Sequence, residues 1–292
     1  MRSLVAHILA ALALLRTSDA FQATKPSCCN RIARRYASHP TPSPAFLSSL
    51  SRCQSSQLYT TSSENRETEV DVDALVKYGV AGIVQMAGFA VILSALDKGV
   101  EATSAHLPLW ASGVFFYACS LKSRVLNPLN NQRPKVESPT NSTIIRPSWF
   151  PPGVIFPIMW ILIIGPIRAY SSALVYDATG EFMNLATLSF LFHLTMGDIW
   201  NTINNVEKRL GAAASTVIFV ILSAVNASYQ YYEVDATAGE LLGLTLLWLC
   251  TAGALVASIW QLNPDEATGQ NDAPFPVKGN AETRFSWFSG NE

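Results

Sequence analysis

Apolar runs with few charges, most of them long enough to cross a lipid bilayer, follow one another through most of this chain. The run at 75–96 carries a single charge, Lys77, and as a helix it would extend roughly 33 Å at 1.5 Å per residue. The other predicted spans are 107–121, which is short, 154–176, 185–203, 210–229 and 241–260. The connections between them leave no room for a strand pattern or a separate soluble domain. The sequence therefore predicts an all-α fold, a polytopic membrane helical bundle.

Charged residues and cysteines argue against several other classes of protein. Only 14% of the residues are charged, against 49% that are hydrophobic. Residues 21–63 contain basic residues and no acidic ones, whereas 64–292 contain more acidic than basic residues. The apolar part therefore has no basic patch, and no nucleic-acid partner is predicted. Cys119 and Cys250 lie inside apolar runs and are predicted to be packing residues. We predict no disulfide framework, no metal site and no required cofactor.

The N-terminal region has the composition of a targeting sequence. Residues 1–20 have an early arginine, an apolar core and small residues at the end, which is typical of a signal peptide. Residues 21–63 are transit peptide-like and expected to be disordered. The order, with Phe21 at the junction, resembles the bipartite presequences of algae with secondary plastids, and it predicts a plastid membrane. The alternative is the secretory pathway or an endomembrane. A polar lead-in, 64–74, follows.

Loop charges predict the orientation of the spans. The connection at 122–146 is strongly basic, and the connection at 207–209 is also net basic. The alternate connections, at 177–184 and 230–240, carry Asp and Glu without any base. The basic loops should therefore share one side with the polar C-terminal tail, 264–292, and the positive-inside rule makes that side cytosol-equivalent.

Three ionisable residues lie inside predicted spans, where a charge is costly and indicates function. Counted from their shared turn, Arg168 lies roughly 12 Å deep, His193 roughly 13 Å and Asp198 roughly 21 Å. Arg168 is thus level with His193, but its side chain leans toward Asp198. The preferred interpretation is an Arg168–Asp198 pair. The alternative is that Arg168 reaches back to the turn while Asp198 meets neighbouring asparagines.

Large rings surround these polar groups in the predicted bundle. Trp160 and Trp200 are placed near Asp198, and Trp248 is placed level with Arg168. Such a set forms a plausible pocket for a flat, mostly apolar ligand, although ordinary interhelical packing is the alternative. His193 has two interpretations, ligation of a tetrapyrrole metal or a structural hydrogen bond. The stripe of Asp198, Asn201 and Asn205 must face protein or a polar cavity.

One group of motifs resembles a known family. The motif at 147–152 reads Pro-Ser-Trp-Phe-Pro-Pro and is followed by Phe156 and Trp160. These residues, with Trp200, Trp248 and the sequence at 259–263, resemble the tryptophan-rich sensory protein / translocator protein (TspO/MBR, peripheral benzodiazepine receptor) family. The resemblance covers 107–263 and makes 75–96 an additional N-terminal transmembrane helix beside five TspO-like helices. Gly197, Val256 and Arg168 depart from the family pattern, which suggests a divergent plastid-type relative.

The resemblance implies a bundle, often a homodimer, that binds porphyrins or other lipophilic ligands. We therefore expect a tetrapyrrole or another flat lipophilic ligand in a tryptophan-lined intramembrane pocket, with the protein acting as carrier, receptor or stress regulator. Alternatives are a transporter of an anionic or protonatable metabolite that uses Arg168 and Asp198, and a light-dependent porphyrin-degrading enzyme. No familiar catalytic constellation is present in the sequence. The candidate ligand-binding residues are Trp149, Phe156, Trp160, Arg168, His193, Asp198, Trp200, Asn201 and Trp248.

Overall fold

The computed structural model describes residues 69–103, 106–130, 144–265, 269–279 and 281–287. The predicted signal and transit segments lie outside these residues. The helices are α1 (Val72–Thr103), α2 (Leu109–Lys122), α3 (Ile155–Thr179), α4 (Leu185–Asn201), α5 (Leu210–Val234) and α6 (Ala236–Leu262). The described residues contain two isolated β-bridges and no strand. The predicted all-α fold is confirmed.

The helices pack as an antiparallel bundle. α5 lies between α4 and α6, α3 packs against α2 and α6, and α1 packs against α4. Near the α3–α4 turn, Tyr176 and Phe182 stack with ring centres 4.3 Å apart and are fully buried. Phe116, Phe190 and Tyr231 extend this cluster. The turn is thereby fixed at one end of the bundle by aromatic packing.

Four of the described helices are long and apolar enough to cross a membrane: α1, α3, α5 and α6. The protein is therefore an integral membrane protein. α2 has 14 residues and α4 has 17, which is short for a span on its own. α4 is extended by π-helical turns over Thr202–Val206. That α2 and α4 also cross the bilayer stays a prediction.

α3 contains π-helical turns at Ile158–Ile164, just before Pro166. In this register the Gly165 N–H bonds to the Trp160 carbonyl, and the next carbonyl, of Ile161, would need an N–H from residue 166. Proline has none, so the Ile161 carbonyl would be left without a helical partner. The hydroxyl of Tyr117 on α2 donates to this carbonyl at 2.9 Å. A side chain of α2 thus supplies the hydrogen bond that the Ile161 carbonyl lacks within α3.

We expect Tyr117→Phe to lower the free energy of unfolding by about 1–2 kcal/mol, because it leaves the Ile161 carbonyl without a donor inside the membrane. Thermal unfolding in detergent measures this loss. Tyr170→Phe is the matched control, since Tyr170 is half exposed on α3, the helix that contains Ile161. Equal stability of the two variants would contradict the role given to Tyr117.

α1 is joined to the rest of the bundle at three heights. Its first turn lies beside the C-terminal tail, where Val70 forms a β-bridge with Val277. Near its middle, the fully buried Gln85 contacts polar groups of other helices. Toward its end, the Asp97 carboxylate accepts the backbone N–H groups of Phe182 (2.7 Å) and Met183 (2.8 Å). The helix begins three residues before the predicted 75–96 and ends seven residues after it.

The C-terminal tail folds back onto the bundle. Phe285 forms a β-bridge with Leu129, and Thr283 is buried. Arg209 donates to the tail carbonyls of Val277 (3.1 Å) and Ala281 (2.8 Å). The tail therefore lies against the α2–α3 and α4–α5 connections, the two loops predicted to share its side.

Candidate functional site

Arg168 lies in the interior of the bundle, on α3. Its side chain is buried, with 5% of the residue exposed. One terminal nitrogen lies 2.6 Å from His193 Nε2, and the guanidinium carbon lies 5.3 Å from the centre of the Trp160 ring. This contact confirms the prediction that Arg168 and His193 lie at the same depth. The guanidinium is placed between an imidazole and an aromatic face.

His193 is held in one tautomer by its partners. A guanidinium only donates hydrogen bonds, so Nε2 must be the unprotonated acceptor. Nδ1 then carries the hydrogen, and it lies 3.2 Å from the Val220 carbonyl and 3.1 Å from the Ser223 hydroxyl oxygen. The imidazole is therefore neutral, with both nitrogens engaged. Ligation of a tetrapyrrole metal by His193 would require breaking the contact with Arg168.

Arg168 forms no direct ion pair in the part of the chain that the structure describes, although the Asp198 carboxylate attracts its charge from beyond contact distance. None of the ion pairs among these residues includes Arg168. Its Nε is buried and has no hydrogen-bond partner there. A buried charge is normally paired, because leaving water costs several kcal/mol or more. Arg168 is thus a buried cation with an unused donor.

The preferred Arg168–Asp198 pair is wrong as a direct contact, because Asp198 bonds to other residues and acts on Arg168 only at longer range. Asp198 accepts a hydrogen bond from Gln85 Nε2 at 2.7 Å and forms an ion pair with Arg124 at 3.3 Å. Asn127 completes the network by donating to Gln85 Oε1 at 2.7 Å. Depth counting missed this arrangement because it gives the height of a side chain and not the direction in which it points around its helix.

A second group of rings lies nearer the start of α3. Phe156 packs edge-on against Trp248 with ring centres 5.9 Å apart, and Phe150 contacts Phe156 at 5.7 Å. Arg146 lies over the Phe150 ring at 4.8 Å. The indole N–H of Trp248 is buried, and no hydrogen-bond partner for it exists among the described residues. This aromatic cluster has an apolar face with one unused donor.

Trp248 is not level with Arg168, so that prediction is wrong. Ser171, close to Arg168 on α3, donates to the Ala238 carbonyl of α6 at 2.6 Å. Trp248 comes ten residues after Ala238, which places it roughly 15 Å further along α6. The error arose because α3 extends past the start of α6, so the two helix ends do not mark one depth.

The remaining candidates lie apart from Arg168. Trp149 is 43% exposed. The Trp200 indole donates to the Ala213 carbonyl at 3.0 Å, which ties α4 to α5. Asn201 accepts from Asn205 at 2.9 Å, so part of the asparagine stripe bonds to itself. The structure therefore brings Arg168, His193 and Trp160 together, and Phe156 with Trp248.

Several residues of these networks were missed by the sequence argument. Gln85, Arg124 and Asn127 surround Asp198, and Tyr117 closes the break in α3. Gln85 was visible as the one amide inside the run at 75–96, and an amide in hydrocarbon needs a partner. Arg124 was counted only among the basic residues of the connection at 122–146.

Comparison with known proteins decides the family. The sequence profile of the TspO/MBR family matches residues 115–261. The chain belongs to the TspO/MBR family. The match begins within α2 and ends next to the last residue of α6, so α1 precedes it.

Two relatives are similar over much of this region. Protein CrtK from Rhodobacter capsulatus is 29% identical over 124 residues, which cover 41% of this chain and 76% of that protein. Tryptophan-rich protein TspO from Chlorobaculum tepidum is 29% identical over 136 residues, which cover 45% of this chain and 84% of that protein. The recognised family is thus confirmed, whereas plastid-type divergence stays a prediction.

Proposed function

We propose that this protein is a membrane receptor or carrier for a flat, mostly apolar ligand of the tetrapyrrole class. The observation that carries the proposal is the buried indole N–H of Trp248, which lacks a partner among the described residues. It belongs to the aromatic cluster with Phe156 and Phe150. Sites for such ligands combine aromatic walls with few placed polar groups. Membership of the TspO/MBR family supports the tetrapyrrole class.

The described contacts favour this proposal over the alternatives. A transporter in which Arg168 and Asp198 share a substrate is not favoured, because these residues lie in separate networks. No specific contact supports a porphyrin-degrading enzyme. The family resemblance supports a homodimer, and the composition of 1–63 supports a plastid membrane over the secretory pathway.

We expect protoporphyrin IX to quench the tryptophan fluorescence of the detergent-solubilised protein with a saturable dependence on concentration. Trp248→Phe should weaken apparent affinity about tenfold, roughly the effect of losing one well-placed hydrogen bond and part of the ring contact. Affinity is best taken from the absorbance shift of the porphyrin, which does not depend on the number of tryptophans.

Trp110→Phe is the matched control, because Trp110 is 73% exposed on α2, away from the cluster. It should bind as the wild type does. Unsaturable quenching in the wild type, or equal affinity of the two variants, would contradict the proposed site.

A further inference from the structure

We infer that Arg168 forms an anion subsite that makes the protein selective for ligands carrying a carboxylate. The inference rests on the proposed function and adds to it the charge of the ligand. It concerns α3 and α4, which place Trp160 and His193 against the guanidinium, and α5, whose Ser223 contacts His193. The aromatic cluster would hold the apolar part of the ligand, and Arg168 its acidic end.

Arg168 has no direct ion pair among the described residues, since Asp198 acts on it only at longer range. Arginine stays protonated in proteins, so Arg168 carries a full charge in a buried position. Its Nε is an unused donor among the described residues. A ligand carboxylate would accept from this N–H and form the direct ion pair that Asp198, which pairs with Arg124, does not form. Such charge-assisted bonds are about twice as strong as neutral ones. A neutral ligand supplies no such compensation.

His193 positions Arg168 without cancelling its charge. The Nδ1 hydrogen faces the Val220 carbonyl and the Ser223 hydroxyl, which orients the ring so that the lone pair on Nε2 meets the guanidinium. An aspartate or glutamate in this place would have formed an internal ion pair. A neutral imidazole holds the guanidinium and leaves its charge for a ligand.

Trp160 connects the subsite to the aromatic cluster. Its ring lies beneath the guanidinium at 5.3 Å, a distance at which a cation is attracted to an indole face. Phe156 lies four residues earlier on the same helix and contacts Trp248. One helix therefore carries an apolar ring contact and a cation in sequence, which fits a ligand that is flat and apolar with an acidic end.

Binding of protoporphyrin IX and of its dimethyl ester tests the inference. The two share one macrocycle, and the ester lacks the carboxylates. The quantity to compare is the affinity for the acid divided by the affinity for the ester, measured in one detergent. This ratio should be at least tenfold higher for the wild type than for Arg168→Gln, for which it should approach one. Comparing ratios between variants cancels differences in micelle partitioning. Lys98→Gln, an exposed cation on α1, should keep the wild-type ratio.

A second variant keeps the test decisive if Arg168→Gln does not fold. His193→Glu retains the arginine and gives it an internal carboxylate, so it should also lose the preference for the acid. Equal ratios in wild type, Arg168→Gln and His193→Glu would overturn the inference while leaving the proposed function intact. Absence of binding of both porphyrins to the wild type would overturn the proposed function itself, and the inference with it.

Discussion

Replacing Gln85 by leucine is expected to lower the free energy of unfolding by about 3 kcal/mol, although leucine is apolar and similar in size. Gln85 is fully buried on α1 and joins three partners. It donates to Asp198 at 2.7 Å and to the Ser123 carbonyl at 3.0 Å, and it accepts from Asn127 at 2.7 Å.

The size of this effect follows from the groups left behind. Leucine would leave a carboxylate oxygen, a carbonyl and an amide without these bonds in a buried site. Each unsatisfied buried group costs about 1–3 kcal/mol, and a charged one costs more. Burial of the leucine side chain recovers only part of this loss, because the Gln85 position is already closely packed.

Thermal and denaturant-induced unfolding in detergent measure the change, with Ala87→Leu as the control on the exposed face of the same helix. A double-mutant cycle with Asp198→Asn should show a coupling free energy of about 1 kcal/mol or more. Additive effects of the two substitutions would show that Gln85 and Asp198 do not interact, and that α1 is held to α4 by apolar packing alone.

The helices could be predicted from the sequence because hydropathy reports burial in lipid directly. The run at 75–96 became α1, and the run at 241–260 lies within α6. Depth counting also placed Arg168 level with His193 correctly, since both were measured from the turn that joins their helices. Position along a helix follows from counting residues from its end, so it can be predicted from the sequence.

The partners of the polar residues could not be predicted in the same way. Asp198 pairs with Arg124 and Gln85 because α1 and the end of α2 lie on its side of α4, and no local pattern encodes that neighbourhood. Folding-back of the tail was missed for the same reason. Residues beyond 264 are polar enough for a solvated segment, yet Thr283 is buried through contacts with residues far away in the sequence.

The same long-range contacts lead to the second large effect, at Arg209. We expect Arg209→Gln to lower stability by about 3–5 kcal/mol, the usual cost of removing one partner from a buried ion pair. Arg209 is buried, donates to Asp71 at 2.8 Å, and binds the tail carbonyls of Val277 and Ala281. Limited proteolysis with mass spectrometry should show early cleavage of the tail at 269–287.

Lys278→Gln is the matched control for this variant, because Lys278 lies in the same tail but forms an exposed pair with Glu69. Exposed pairs contribute at most about 1 kcal/mol, so cleavage of the tail should stay close to the wild-type rate. Equal protection of the tail in Arg209→Gln and Lys278→Gln would show that other contacts, such as that of Trp260 with Asp272, hold the tail in place.

Acid should reproduce part of the effect of Arg209→Gln in the wild-type protein, because it removes the ion pair with Asp71 but leaves the bonds from Arg209 to the tail carbonyls. Burial alone would raise the pKa of Asp71, but hydrogen bonds from Arg209 and from the Ala74 N–H outweigh it and hold the pKa below its ordinary value of 3.8. The stabilisation is therefore complete above pH 3.8 and is lost as the pH falls through the lower folded-state pKa. Tail cleavage by an acid-active protease should rise below that pH in the wild type. In Arg209→Gln it should already be high above that pH, because the substitution removes both the hydrogen bond that lowers the pKa of Asp71 and the hydrogen bonds to the tail carbonyls.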